Sequence, residues 1–488
     1  MSLYHKITSG WNQPNKVAII FEDKCITFGE IQQRTNRISS FLSQKGCIKG
    51  DIIGVQLSKG PLFLEIILAA LQLGVAIVPL NDSYTEEEVM FYARDAEIKI
   101  MISERKYDDL NWISTLEIED CINEQHIEIQ QNKYNVDDSD LAVLLYTSGT
   151  TGKPKGAYLT HKNLWANIEG LYSAWCWSEE DVLLHMLPLF HVHGLFVAAF
   201  GTLRAQATMI LERKFNLNRF FVCIPKYKCS IFMGVPTMYH RIISDQRETF
   251  DFSTIRLFTS GSAPLPIDLH KKFKKQFGLS ILERYGMSEV GIVLSNPYNG
   301  EKRIGSVGFP ICNIQCRIVN DLGLDVSIGE VGELLHKGPS VISKYFRRPT
   351  ESKKNIRDGW LYSGDLAYQD EQGYFYIVGR SKDLIISGGL NIYPREIESV
   401  LRQFKGIRDV AVIGIPNEEW GESVAAVVIC NQETINEEDI RHFIAEKCSK
   451  YKRPRHYFYV QEFPRNAMGK VQKAKMRDHF ASQVKNLR

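Results

Sequence analysis

The chain has 488 residues, 44% of them apolar and 24% charged, a composition that excludes collagen-like, coiled-coil and disordered proteins and allows roughly two to four domains. Lys and Arg number 59 against 57 Asp and Glu, so the net charge of +2 provides no overall field for nucleic acid. Ten cysteines without C-x-x-C or zinc spacing, and a start without an apolar signal core, predict reduced thiols and a cytoplasmic protein. The most apolar stretch, 62–80, is interrupted by Glu65 and Pro79, which predicts no membrane span.

The first third of the chain alternates short apolar runs with amphipathic windows, which is typical of βαβ units and a mainly parallel sheet. Strands are predicted at 17–21, 52–57 and 98–102. Thr85 with Glu88 forms a capping box that starts a helix between the last two. The polar, acidic residues that follow as far as Asp140 predict a variable connection around one or two minor elements.

A buried strand is predicted at 141–146, directly before a loop at 147–156. Thr160 then caps a helix with one apolar face, and α/β alternation continues with strands at 231–235 and 255–259. We therefore predict an α/β protein whose large N-terminal domain, 1–381, consists of α/β subdomains with mainly parallel sheets.

A smaller unit follows, because the pattern changes near residue 380. Residues 385–389 and a helix with Pro394 in its first turn are predicted to begin it. Its other strands are predicted at 410–413, 424–429 and 457–460. This predicts a small, mobile α+β C-terminal domain, 382–488, with the boundary near Lys382.

The loop after the 141–146 strand carries the clearest chemistry, since residues 146–156 read YTSGTTGKPKG. Its backbone N–H groups, hydroxyls and two ammonium groups can surround a polyphosphate. The loop is not a Walker A motif, because Pro154 follows Lys153 where a Ser or Thr would hold magnesium. A flexible exposed connection is the alternative.

This loop resembles the signature of the adenylate-forming superfamily, which includes acyl-CoA synthetases, amino-acid adenylation domains and luciferases. Further similar motifs follow in the family's order along nearly the whole chain: LPLFHVHG at 187–194, SGSAP at 260–264, ERYGMSE at 283–289, WLYSGD at 360–365, GRSKD at 379–383 and PRNAMGK at 464–470. The resemblance implies an AMP-forming acid–thiol ligase. It would use ATP, Mg²⁺ and CoA, form an acyl-AMP intermediate, and release pyrophosphate and AMP.

The resemblance also implies roles for individual residues. The phosphate-binding residues would be Thr147, Ser148, Gly149, Thr150, Thr151, Gly152, Lys153 and Lys155. The adenine and ribose would contact Gly261, Ser262, Ala263, Tyr285, Gly286, Asp365 and Arg380. The catalytic residues would be Lys470, Glu289, Ser288 and His191, with Glu289 also binding magnesium. Lys382 would be the hinge for rotation of the small domain, and Gly388 and Gly389 would let the pantetheine arm of CoA pass. Asp365 as a turn cap and Lys470 as a surface lysine are the plainer alternatives.

Arg284 is the residue that bears on the identity of the acid. The resemblance places it in the wall of the acyl site, where fatty-acid-activating relatives commonly have a small residue. A guanidinium matches a second carboxylate and is expensive to bury against an alkyl chain. With His193 and Met287 as further substrate contacts, we expect a short dicarboxylate, malonate first and methylmalonate second, and the surrounding motifs resemble malonyl-CoA synthetases.

Several alternatives stay open at this point. Arg284 could pair with Glu283 or another structural acid, and His193 could be a structural group. The enzyme could be a short- or medium-chain or aryl acyl-CoA synthetase, or the chain could be a non-catalytic adenylate binder. The acceptor could be a carrier-protein thiol. The basic stretch 450–477 is expected to contact the CoA phosphates in part, with nucleic acid as the sharper alternative, and the oligomeric state is left open.

Overall fold

The computed structural model describes residues 1–123, 135–148, 154–245, 250–431, 436–465 and 471–486. The described residues form four sheets, three in a large N-terminal domain and one in a small C-terminal domain. The predicted α/β fold class is confirmed. Within these ranges, no helix combines the length and the apolar character that crossing a membrane requires.

The helices are α1 Leu3–Thr8, α2 Phe28–Gln44, α3 Pro61–Leu73, α4 Glu86–Ala96, α5 Thr115–Asn123, α6 His161–Ala174, α7 Gly201–Arg204, α8 Leu217–Tyr227, α9 Pro236–Ile243, α10 Ile267–Phe277, α11 Pro349–Asn355, α12 Pro394–Leu401, α13 Glu437–Lys447 and α14 Lys473–Asn486. A π-helix covers His193–Phe200, and short 3₁₀ turns cover Ser381–Asp383 and Lys450–Lys452.

The strands are β1 Val17–Phe21, β2 Lys24–Thr27, β3 Ile52–Gln56, β4 Ala76–Pro79, β5 Ile100–Ser103, β6 Trp112–Ser114, β7 Leu141–Ser148, β8 Pro154–Thr160, β9 Val182–His185, β10 Thr208–Leu211, β11 Ile231–Gly234, β12 Leu257–Ser260, β13 Ile281–Met287, β14 Gly291–Ser295, β15 Phe309–Pro310, β16 Gln315–Val319, β17 Gly332–Lys337, β18 Ile356–Arg357, β19 Trp360–Gln369, β20 Phe375–Arg380, β21 Ile385–Ser387, β22 Leu390–Ile392, β23 Ile407–Asn417, β24 Gly421–Cys430 and β25 His456–Tyr459.

Two of the N-terminal sheets are mainly parallel, as predicted. One has the order β15-β14-β13-β12-β11-β9-β10-β1-β2, with antiparallel pairs only toward its ends. The other has the order β6-β5-β3-β4-β7-β8. Polar groups at the carboxyl ends of parallel strands lie on one edge of a sheet, which is where ligands bind in open α/β folds.

The predicted helix starts at Thr85 and Thr160 are confirmed. Each threonine accepts a hydrogen bond from the backbone N–H three residues on, and Glu88 and Asn163 complete the two capping boxes. The stretch as far as Asp140 contains β6 and α5 as its two minor elements, and part of it lies outside the described residues.

The strand predicted at 141–146 is longer than expected. β7 continues to Ser148 and pairs with the antiparallel strand β8, so that Thr147 lies opposite Lys155. Residues 154–156 are therefore strand and not loop. Pro154 is compatible with this because it is the first residue of an edge strand, where a missing N–H is tolerated.

The third N-terminal sheet differs from the predicted continuation of α/β alternation. Strands β16 to β20 form an antiparallel sheet. In β19, buried residues alternate with partly exposed ones, which is the period-two pattern of a sheet with one covered face. This sheet places Asp365 opposite Arg380.

The C-terminal sheet has the order β22-β21-β24-β23, with β25 beside β24. Pro394 is the first residue of α12, as predicted, and the predicted strands correspond to β23, β24 and β25 with longer bounds for the first two. Lys382 is exposed in the 3₁₀ turn between β20 and β21. Its role as the boundary and hinge stays a prediction.

His161 provides a test of how the N-terminal segment is held. Its buried Nδ1 accepts the Leu3 N–H at 3.0 Å, and burial lowers the pKa of the imidazole to about 4. Protonation below the ordinary pKa of 6.5 therefore favours the unfolded chain. We expect this one group to lower the free energy of unfolding by about 2 kcal/mol between pH 7 and pH 5. Urea titrations should show a weaker pH dependence in His161→Gln but not in the exposed control His240→Gln. Equal pH dependence in wild type and His161→Gln would contradict this.

Candidate active site

The ends of β7 and β13 meet at the carboxylate of Glu289. Glu289 follows β13, is 4% exposed, and accepts hydrogen bonds at Oε1 from Thr147 Oγ1 at 3.3 Å and from the Tyr345 hydroxyl at 3.1 Å. Lys155 on β8 lies opposite Thr147, with its Nζ 3.6 Å from the centre of the Tyr345 ring. An acid, a cation and two hydroxyls therefore converge beside the predicted phosphate loop.

The electrostatics of this group follow from its burial. Burial lowers the pKa of Lys155, and the negative charges of Glu289 and Glu351 oppose the change. Burial and then Glu289 raise the pKa of Tyr345, so its hydroxyl stays a hydrogen-bond donor. Tyr345 was not among the predicted site residues, because no motif marks it and only the fold brings it to Glu289.

Part of the predicted phosphate loop is outside the structure's coverage. Gly149, Thr150, Thr151, Gly152 and Lys153 lie outside the described residues, and only the backbone of Ser148 is described. Their predicted contacts with phosphate stay predictions.

Magnesium is the metal that the family chemistry implies, and the residues around Glu289 suit it. Mg²⁺ prefers oxygen ligands and is usually bound by one or two carboxylates together with substrate phosphates and water. Glu289 and Thr147 present such oxygens, and Ser288 lies beside them. Among the described residues, no group of three or more His, Cys, Asp or Glu could enclose a metal by itself.

Asp365 is the centre of a second polar group, on the antiparallel sheet. Its Oδ1 is 3.0 Å from Arg380 Nε, and its Oδ2 accepts the Tyr285 hydroxyl at 2.6 Å. Burial, followed by the charge of Asp365, raises the pKa of Tyr285. Asp365 lies inside β19, which argues against the alternative of a turn cap.

The predicted adenine-binding residues follow the end of β12. Gly261 is buried, whereas Ser262 and Ala263 are partly exposed. Ser262 adopts the left-handed φ of +66°, and its Oγ lies 3.2 Å from His193 Nδ1. Tyr285 is partly exposed, and its ring centre lies 5.7 Å from that of His336.

Gly286 and Met287 complete the strand that carries Tyr285. A Cβ on Gly286 would lie 2.0 Å from the carbonyl oxygen of Gly291, so the tight β13–β14 hairpin admits only glycine here. Met287 is partly buried and packs against the neighbouring hydrophobic core.

Arg284 is buried in β13, and no acid among the described residues forms an ion pair with it. It is 4% exposed, and its Nε and Nη2 are buried with no hydrogen-bond partner among the described residues. This is the edge with which other arginines of the chain bind a carboxylate: Arg204 donates from Nε and Nη2 to the two oxygens of Glu169, and Arg256 does the same to Asp181. Burial lowers the pKa of Arg284, which marks a cation that lacks an anion.

The pairing of Arg284 with Glu283 is not observed. Successive strand residues point to opposite faces, and Glu283 Oε1 instead accepts the Leu265 N–H at 3.1 Å. Burial raises the pKa of Glu283 to about 7, and the opposing positive charge is that of Arg395 on α12. That alternative is therefore wrong, and Glu283 belongs to the region where α12 of the small domain approaches.

Two neutral histidines lie in the loop that the LPLFHVHG motif forms. The Nε2 atoms of His191 and His193 are buried, and neither has a partner in the part of the chain that the structure describes. Burial lowers the pKa of His191 to about 4, and burial together with the nearby charge of Arg284 lowers the pKa of His193. His191 lines a pocket with Ser288 and Tyr146. Both histidines can donate or accept a hydrogen bond without adding charge.

The loop that carries these histidines is held from behind. His193 begins the π-helix, and the following residue, Gly194, has its carbonyl oxygen 2.7 Å from His185 Nε2. A Cβ on Gly194 would lie 1.9 Å from the carbonyl oxygen of Pro188. The close turn therefore requires glycine and directs His193 toward Ser262 and Arg284.

The structure describes only some of the predicted site residues of the C-terminal domain. Lys470 lies outside the described residues. Gly388 and Gly389 form the two-residue turn between β21 and β22, with φ values of +59° and +77° that favour glycine. The ring of Trp420 packs on Gly388.

Comparison with known proteins places these residues in a family. The model of the "AMP-binding enzyme" family matches residues 9–346, and that of the "AMP-binding enzyme C-terminal domain" matches residues 396–470. The chain belongs to the AMP-binding enzyme family. It is 33% identical to a long-chain-fatty-acid–CoA ligase of Bacillus subtilis, over 94% of this chain and 90% of that protein. It is 30% identical to a 2-succinylbenzoate–CoA ligase of Bacillus subtilis, with 95% of each covered. The crystal structure of ATP-bound MatB from Rhodopseudomonas palustris matches with a TM-score of 0.95 at 35% identity, over 99% of this chain and 100% of that one.

Membership in this family confirms the predicted enzyme class. The chain is an ATP-dependent, AMP-forming acid–thiol ligase. Ligases of this kind use ATP, Mg²⁺ and CoA, as predicted. The alternative of a non-catalytic adenylate binder loses its support. The relatives are named for different acids, so the identity of the acid depends on the site itself.

Proposed function

We propose that this ligase converts a short dicarboxylic acid to its CoA thioester, with malonate as the main substrate and methylmalonate as a second. The observation that carries the proposal is the buried Nε–Nη2 edge of Arg284, which has no partner among the described residues. A short- or medium-chain fatty acid or an aryl acid would leave this edge without an anion.

The energetics favour an anionic substrate group at Arg284. An isolated buried charge is destabilised by several kcal/mol, so a site that keeps one gains when an opposite charge with matching geometry arrives. The distal carboxylate of malonate offers two oxygens to the two donors of Arg284. His193, neutral and beside Arg284, supplies a further hydrogen bond, while Met287 contacts the carbon chain.

In the proposed reaction the proximal carboxylate attacks the α-phosphorus of ATP. A bond forms between the carboxylate oxygen and phosphorus, the bond to the bridging oxygen breaks, and pyrophosphate leaves with that oxygen. The thiolate of CoA then attacks the acyl carbon, and AMP leaves with the carboxylate oxygen. The protein has to align the in-line attack and neutralise the charge that develops.

The described residues suit these tasks. Thr147 and Lys155, which lie opposite each other on β7 and β8, would hold phosphate. Ser288 and His191, which line a pocket with Tyr146, would contact the α-phosphate and the reacting carboxylate. Glu289 would hold magnesium, which supplies positive charge to the phosphates when bound. Asp365 can accept both ribose hydroxyls next to Arg380, and adenine would lie between Tyr285 and residues 261–263.

The small domain supplies the remaining roles in the proposal. Lys470 would bridge the carboxylate and the α-phosphate during adenylation, as a compact movable cation can. Rotation about Lys382 in the domain scheme 1–381 and 382–488 would then replace it by the Gly388–Gly389 turn, past which the pantetheine arm would reach the acyl-AMP.

The test is to measure the turnover of different carboxylic acids by the enzyme in the presence of ATP and CoA. We expect the highest kcat/KM for malonate, with propionate, octanoate and an aryl acid at least about 10²-fold lower, because they cannot pair with Arg284. Faster turnover of octanoate or the aryl acid would refute the proposal in favour of the fatty or aryl alternative. Replacing CoA by a carrier protein in the same assay identifies the thiol acceptor.

A further inference from the structure

The guanidinium of Arg284 lies directly on the α-carbon of Gly261. A Cβ at position 261 would be 2.3 Å from both Cζ and Nη1 of Arg284, and 2.6 Å from its Nε. Real Cβ atoms do not approach other heavy atoms so closely. The missing side chain of Gly261 is therefore the space in which the guanidinium lies.

The two residues meet because of the register of the parallel sheet. β12 and β13 are neighbours in which Ser260, the last residue of β12, pairs with Glu283, so the residues that follow this pair are Gly261 and Arg284. Gly261 has no left-handed φ, so its backbone conformation is open to any residue. Space, and not backbone strain, is the reason for glycine here.

The other surroundings limit where the guanidinium could move. Tyr239 on α9 is close enough to interact with Arg284 electrostatically, and its buried hydroxyl is held by the carbonyl oxygen of Thr259 at 2.6 Å. His193 approaches with a neutral ring that is fixed by Ser262. The group that yields to an added methyl at 261 is the far end of the arginine side chain, so the donor edge would shift while the strands stay in place.

We propose that Gly261 is a specificity-determining residue that positions the donor edge of Arg284 for the distal carboxylate of the acid. This inference rests on the proposed dicarboxylate function. It assigns Gly261 to the acyl site, in addition to its predicted place beside the adenine. A ligase with the same arginine but a larger residue at this position would not hold the guanidinium in this place.

Gly261→Ala is the direct test. Because a displacement of about 1 Å can lower catalysis by about 10²-fold, we expect the malonate KM to rise by roughly 10- to 100-fold while the ATP KM changes less than about twofold. Gly201→Ala is the matched control, because Gly201 is also buried and its Cβ would have only an ordinary contact, 3.7 Å from Trp177. Equal increases of the malonate and ATP KM values would overturn the proposal, since they would indicate a role for Gly261 in nucleotide binding alone.

A double-mutant cycle provides the second measurement. If Gly261 acts through Arg284, Gly261→Ala should change malonate kcat/KM by less than about twofold in an Arg284→Ala background. Independent, additive losses would overturn the proposal. If Gly261→Ala alone fails to fold, folding of the double variant would support the clash with Arg284, and failure of both would refute it.

The substrate preference of the wild-type enzyme tests the proposed function separately from the role of Gly261. A wild-type enzyme that prefers octanoate or an aryl acid refutes the dicarboxylate proposal, whatever Gly261→Ala does. A wild-type enzyme that prefers malonate, together with an unchanged malonate KM in Gly261→Ala, refutes only the role of Gly261.

Discussion

Replacing Arg284 by alanine is expected to lower kcat/KM for malonate by about 10²- to 10³-fold, which corresponds to about 3–4 kcal/mol for the loss of a buried charge partner. The distal carboxylate would then enter a buried site whose remaining nearby donor is the neutral His193. The effect should be confined to dicarboxylates. Propionate, which has no distal carboxylate, should react at an unchanged or higher rate, so the preference for malonate over propionate should collapse.

Two further variants sharpen this experiment. Arg284→Lys keeps the charge but loses the two-donor edge, so malonate activity should lie between wild type and Arg284→Ala. Arg213→Ala is the matched control, because this exposed arginine pairs with Glu22 at the surface and should leave the kinetics unchanged. Unchanged malonate kinetics in Arg284→Ala would refute the role of the guanidinium.

Glu289→Gln is expected to lower the rate of adenylation by about 10²- to 10³-fold, the size of effect seen when one preorganised electrostatic group is removed. The amide oxygen can still accept hydrogen bonds from Thr147 and Tyr345, so the local structure should persist. Only the negative charge is lost. The magnesium concentration that gives half-maximal activity should also rise, because a neutral amide is a poorer ligand for this metal.

Malonate-dependent exchange of pyrophosphate into ATP, measured over a magnesium titration, checks this prediction. Glu371→Gln is the control, since Glu371 is an exposed acid in the turn between β19 and β20. Thermal unfolding of Glu289→Gln should match wild type within a few degrees. An unchanged exchange rate and magnesium dependence would remove Glu289 from the metal site, whereas a large loss of stability would assign it a structural role.

Local signals in the sequence were sufficient for much of the fold. The capping box at Thr85, the helix cap at Thr160 and the proline at the start of α12 are decided by neighbours three or four residues away, and all three are confirmed. The antiparallel sheet β16–β20 was not predicted. Its short strands pair across turns and hairpins whose register depends on tertiary contacts, which a period-two pattern alone does not specify.

The site residues that lie within a single sequence motif could be predicted from the sequence. Asp365, Arg380 and Glu289 stand in family-like motifs, and the structure brings each to polar partners. Tyr345 and the contact of Gly261 with Arg284 could not be read from motifs. These depend on pairs that are distant in the chain and meet only through sheet register and strand order. The pairing of Arg284 with its sequence neighbour Glu283 is excluded by the alternation of side chains along β13, which is a local rule, and Glu283 accepts the Leu265 N–H instead.

A crystal structure of the enzyme with malonate and a non-reactive α,β-methylene analogue of ATP tests the central claim most directly. The account predicts one malonate carboxylate within hydrogen-bond distance of Nε and Nη2 of Arg284, with the other directed at the α-phosphorus. A structure in which the guanidinium binds a protein acid, while malonate lies elsewhere or fails to bind, would contradict it.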